Sequence, residues 1–147
     1  MVVDLTKGLP ISIHLKTEVR QNNEFEEFLF DLPGQIVKIG DTLYIRYKEE
    51  AEDGAEPVPV TMKILPDGSI QLIRSGEMRL RLKFSYREQV ETSYKTPFGM
   101  MFFSTYTNDL HFSLKDRPIS GEITVDYHLY MAEEKIGNYK INLEFTA

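Results

Sequence analysis

Apolar and polar residues alternate with a period of two along nearly the whole chain. Across residues 11–20, Ile11, Ile13, Leu15, Thr17 and Val19 alternate with Ser12, His14, Lys16, Glu18 and Arg20. In an extended strand this puts one set in a core and the other in water, the pattern of half-solvated antiparallel sheets. The same reading holds for Leu43/Ile45/Tyr47, Val58/Val60/Met62/Ile64 and Met78/Leu80/Leu82/Phe84. It returns in Leu110/Phe112/Leu114, Ile123/Val125/Tyr127/Leu129 and Tyr139/Ile141/Leu143/Phe145. Turn chemistry separates the runs at Gly40-Asp41, Pro66-Asp67-Gly68, Ser75-Gly76, Asn108-Asp109 and Asp116-Arg117-Pro118. Residues 22–32 read either as a short helix, from Phe25, Phe28 and Leu29, or as a strand carrying Phe28, Phe30 and Leu32. The strand ending in a bend at Pro33-Gly34 reads better.

About ten such runs, joined by short links, predict an all-β domain in which each strand lies beside the next. Closing that meander removes exposed edges, so a single antiparallel barrel of about eight to ten strands is expected over residues 1–147. The length of 147 residues suits one core.

Charge and composition narrow the partners. With 17 Lys+Arg against 23 Asp+Glu, the net charge of -6 opposes a phosphate backbone at long range, and no nucleic-acid partner is expected. There is no cysteine, which removes disulfides, thiolate nucleophiles and sulfur-ligated metals. The start lacks the order of a signal peptide, and the longest apolar stretch, residues 98–103, is far below the ~20 residues of a membrane helix. A cytoplasmic protein without a membrane partner is the expectation.

Three stretches carry a resemblance: Arg74-Ser75-Gly76-Glu77-Met78 before the strand ending at Phe84, Tyr94-Lys95-Thr96-Pro97-Phe98-Gly99, and Gly121-Glu122-Ile123 followed by Tyr127. Their order and spacing resemble the YwiB-like family of small bacterial proteins of unknown function. The resemblance implies a calycin-like (lipocalin-like) barrel and no established activity, so there are no catalytic residues to carry over. The chain has no Trp, and the Gly-x-Trp motif of lipocalins is therefore absent.

The screen for chemistry is nearly empty. No nucleophile elbow, phosphate-cradling Gly-rich loop or His-Glu-x-x-His is present, and no catalytic residue, metal ligand or cofactor is expected. His14, His111 and His128 take the outward parity of three different strands. The acidic run at residues 49–56 reads as a solvated loop, since its spacing does not match a calcium loop. Arg79, Arg81, Lys83 and Arg87 form an outward basic stripe, with Glu91 on the next strand as its neutralising neighbour and no aromatic residue on that face.

Parity gives one sharper signal. Ile70 and Leu72 set an inward face that Arg74 continues, and Tyr47, Thr92, Tyr94, Tyr127 and Tyr139 point inward by the same rule. No carboxylate clearly joins them, and an arginine in a low-dielectric interior must be paired. A ligand carboxylate or phosphate would supply the pair, with Tyr47, Tyr94, Tyr127 and Tyr139 as polar neighbours. The plainer alternative puts Arg74 in water at the barrel mouth, or against a strand-end acid such as Glu77 or Glu88. The expected function is a non-enzymatic binder of a small amphipathic or anionic ligand in the interior. Its rival is an interaction or structural module whose barrel is filled by side chains.

Overall fold

The computed structural model describes residues 5–50, 56–76 and 79–147, and of Tyr94 only the backbone. Ten strands follow in chain order: β1 (Leu9–Gln21), β2 (Glu24–Ile39), β3 (Thr42–Glu49), β4 (Val58–Ile64) and β5 (Ile70–Ser75), then β6 (Arg79–Phe84), β7 (Gln89–Thr96), β8 (Gly99–Lys115), β9 (Ser120–Met131) and β10 (Glu134–Thr146). Each pairs antiparallel with its chain neighbours, and β1 also pairs with β10, which closes the barrel. The meander expected from short links is therefore the fold. Among the described residues, no helix is long and apolar enough to cross a membrane.

Local chemistry sets the corners. Asn22 and Asn23 both take positive φ, 53° and 64°, as a two-residue hairpin turn requires of residues whose short side chains tolerate it. Gly40 (φ 61°) turns β2 into β3, and Gly99 (φ 118°) follows the Pro97-Phe98 loop between β7 and β8. The Asp67 carboxylate accepts bonds from the Ser69 amide and hydroxyl, which holds the turn before β5 and lowers the Asp67 pKa.

Two expected breaks are not breaks. Strand β2 runs through Pro33-Gly34 rather than ending there, pairing Ser12 with Pro33 and Gly34 with both Ile11 and Tyr47. Gly34 lets the strand bend inward: a Cβ there would come within 2.8 Å of the Arg46 carbonyl oxygen. Asn108-Asp109 is not a turn either. It lies within β8, where the register with β9 shifts between Thr107 and Asp109. This bulge switches the inward parity from Thr105 and Thr107 to Leu110 and Phe112, so one long strand reads as two runs.

The wall has unequal height. Strands β3 to β6 have 8, 7, 6 and 6 residues, whereas β1, β2, β8 and β10 have 13, 16, 17 and 13. The β1–β2, β7–β8 and β9–β10 hairpins overshoot the short strands at one end, which is the mouth. The other half is filled by Ile36, Ile45, Met62, Ile70, Phe84 and Ile123, all without appreciable exposure. Fully burying such a side chain contributes about 1.5–3 kcal/mol. The seam between β6 and β7 is the thinnest: among the described residues its ladder holds one pair, Leu80 with Tyr94. Across it the Thr92 hydroxyl donates to the Arg81 carbonyl, and the Thr105 hydroxyl of β8 donates to the Lys83 carbonyl of β6. Both threonines are buried, which is where side-chain donors best replace missing amide donors.

Candidate functional site

The upper half of the barrel is a cavity of about 700 Å³, within the range of small-molecule sites. Its apolar wall includes Leu15, Leu72, Leu80, Leu82 and Ile141. On the tall side, Phe28, Leu29, Phe30 and Leu32 of β2 close it. Its polar groups are Thr17, Asp31, Tyr47, Glu49, Glu50 and Arg74, with Tyr127 below.

Of the residues that parity sends inward, Tyr47, Arg74 and Tyr127 line this cavity. Tyr47 and Tyr127 are buried and line the cavity, and burial pushes both phenols far above their ordinary pKa, so both stay protonated donors. Tyr127 stacks on Tyr139 with ring centroids 5.3 Å apart and packs on Phe84 at 4.6 Å. Tyr139 thus backs Tyr127, and its own phenol is also raised by burial. Of Tyr94 only the strand position, opposite Leu80 and Met101, is described; its side chain lies outside the described residues.

Arg74 reaches the cavity, but its charge is already balanced. Its Nη2 donates to Glu49 Oε2 at 2.7 Å. This corrects the expectation that no carboxylate shares the inward face. Glu49, the first residue of the acidic run expected to be a loop, is the last residue of β3. The signal was in the sequence: Leu43, Ile45 and Tyr47 set an inward parity that Glu49 continues. Residues 51–55 of that loop, and Glu77, the other acid weighed as a partner, lie outside the described residues. Glu88 stands at the far end, beside the turn after β6. The pair is half in water, with the Arg74 side chain 42% exposed and that of Glu49 34%. The Arg74 Nε, however, is buried with no acceptor among the described residues.

The histidines do take the outward parity. His14 is exposed and pairs across β1 and β2 with Asp31, whose carboxylate bonds the imidazole and raises its pKa above 6.5. His128 is half-buried beside the Tyr106 ring. Among the described residues, no group of three or more His, Asp or Glu is placed to hold a metal ion.

The basic stripe has neighbours that parity along one strand did not reveal. The β7–β8 hairpin folds Met100 opposite Lys95 and Phe102 opposite Ser93, both on the outward face. Arg79, Arg81, Lys83 and Lys95 therefore share a shallow groove of about 500 Å³ with Met100 and Phe102. The expectation of a face without aromatic residues fails on Phe102. Glu91 borders the same groove but makes no ion pair among the described residues.

A family model described as "Domain of unknown function (DUF1934)" matches residues 13–143, from the first strand to the last. The chain belongs to this family. It is similar to the uncharacterized beta-barrel protein YwiB of Bacillus subtilis (strain 168), 24% identical over 126 residues, covering 86% of this chain and 85% of that protein. The crystal structure of the ywiB protein from Bacillus subtilis superposes with a TM-score of 0.79 at 20% identity, covering 96% of this chain and 93% of that one. The resemblance read from the short motifs and the barrel it implied are thereby established. At this identity the match establishes the fold alone.

Proposed function

We propose that the mouth cavity binds a small amphipathic molecule without transforming it. The observation that carries this is the Nε of Arg74, buried and without an acceptor among the described residues, at the edge of an apolar cavity. An orphaned buried donor costs about 1–3 kcal/mol, and an acceptor on a ligand would recover it. The leucines and Ile141 offer apolar wall, worth about 0.8 kcal/mol for each buried methylene of a chain.

The electrostatics favour an uncharged head over the anion suggested by parity. Glu49 neutralises Arg74 and Glu50 lines the same cavity, so an incoming carboxylate would meet two acids against one arginine. A carbonyl or hydroxyl head accepts the Nε–H bond without that repulsion. Tyr47 and Tyr127 add protonated phenols at the cavity floor.

A thermal-shift comparison of a monoacylglycerol with the fatty acid of equal chain length tests this. A ligand that binds only the folded state adds about 2.7 kcal/mol at a hundredfold excess over its Kd. The neutral amphiphile is expected to raise the Tm of the parent more than the acid does. Arg74→Met should remove that rise, and Glu49→Gln, which frees the arginine charge, should reverse the preference. No shift from either compound, or one that survives Arg74→Met, would favour the rival module with a filled barrel. The rival draws on the solid packing of the lower half.

A further inference from the structure

Large apolar side chains are not exposed evenly. Of the eleven exposed among the described residues, four lie on the β1–β2 hairpin and four on the β7–β8 hairpin. The latter four are Phe98, Met100, Met101 and Phe102, and Phe98 at the tip is 99% exposed. A cluster of this kind on a soluble domain marks a surface that something covers.

Charge separates the two hairpins. The β1–β2 tip carries Glu24, Glu26 and Glu27 beside its aromatics. The β7–β8 tip has Lys95 in cross-strand register with Met100, and Arg79, Arg81 and Lys83 follow on the adjacent strand. None of these four cations makes an ion pair among the described residues. An apolar tip with a basic collar therefore stands out on a protein of net charge -6.

We propose that the β7–β8 hairpin docks on an anionic lipid surface, with Phe98, Met100 and Met101 entering the headgroup–acyl boundary and Lys95, Arg79 and Arg81 meeting lipid phosphates. Both halves of the patch are then satisfied at once, because such a surface offers apolar depth below a layer of negative charge. An acidic peptide in the groove would neutralise the collar and leave Phe98 bare. A second copy joined tip to tip would press like charges together. The lack of a spanning helix governs insertion across a bilayer and does not bear on contact with its face. Because the two patches are distinct, this docking stands or falls separately from ligand binding in the cavity.

Vesicle flotation decides the matter, comparing phosphatidylcholine with phosphatidylcholine–phosphatidylglycerol vesicles over a range of salt. The protein is expected to float with the anionic vesicles at low salt and to detach as salt screens the collar. Phe98→Asp and Lys95→Glu should each reduce the bound fraction by about tenfold with the melting temperature unchanged. Phe25→Asp on the acidic hairpin should bind like the parent. The proposal is overturned by absence of binding to anionic vesicles, or by binding that Phe98→Asp leaves intact. It is also overturned if the parent self-associates in sedimentation and Phe98→Asp abolishes that, or if polyglutamate binds in place of vesicles.

Discussion

Gly99 ends a two-residue loop with φ at 118°, a region where a side chain is strained whatever space surrounds it. The space is in fact open, with no heavy atom within 4 Å of a Cβ built there. Substitution therefore meets backbone strain and no clash. The Thr96 hydroxyl fixes the same loop, donating to the Gly99 carbonyl at 2.9 Å and accepting from the Phe98 amide at 3.1 Å. Gly99→Val is expected to destabilise by about 1–3 kcal/mol, read as a lower Tm in a thermal melt. A variant that melts with the parent would refute the strain. This position was legible from Pro97-Phe98-Gly99 in the sequence, since Pro starts such a bend and Gly completes it. The inward aim of Glu49 was legible from the parity of β3, but its pairing with Arg74, 25 residues away, was not, because alternation says nothing of which inward residues meet.

At the scale of one hairpin, β1 and β2 are tied outside the barrel by side-chain pairs. His14 faces Asp31 and Lys16 lies 3.6 Å from Glu27 across the two strands, while Glu18, on β1 itself, lies 3.4 Å from Lys16. The exposed lysine pairs contribute little. The imidazole has a pH signature with a definite sign. The Asp31 hydrogen bond, then its charge, raises the folded-state pKa of His14 above 6.5, so the native state holds this proton more tightly than the unfolded chain. The resulting stabilisation is complete below 6.5 and is lost as pH rises through the higher folded value. Melts across about pH 5 to 8 should show Asp31→Asn trailing the parent at acid pH, with the gap closing at the alkaline end. In the same variant the His14 imidazole should titrate closer to 6.5 by NMR. Equal gaps at both ends of the range would rule the pair out as a contributor.

The molecule as a whole is a barrel with one solid half, one hollow half and one thin seam. Along most of the wall the backbone ladder is continuous, from the thirteen paired positions of β1 and β2 to the five of β4 and β5. Between β6 and β7 a single pair remains among the described residues, supplemented by the Thr92 hydroxyl, while the Thr105 hydroxyl ties β8 to β6. Strand edges with few backbone bonds open at low free energy. Amide hydrogen exchange should therefore be faster in β7 than in β1 and β10. Uniform protection around the barrel would contradict a seam. This same place borders the basic groove of Arg79, Arg81, Lys83 and Lys95.

The sequence by itself determined the strands, their inward and outward faces and the meander, because a period of two and short turns are properties of neighbouring residues. It therefore placed Arg74, Tyr47 and Tyr127 on one interior and aimed the histidines outward. Tertiary structure decided what alternation does not encode: how high each residue stands along the barrel axis and which strands overshoot the rest. Those heights put Glu49 beside Arg74 and left the upper half hollow. They also set Phe102 against the stripe of Arg79, Arg81 and Lys83. The bulge at Asn108 shows the physical limit most directly. One extra residue reverses parity without interrupting hydrogen bonding on either side, so a single long strand carries the pattern of two.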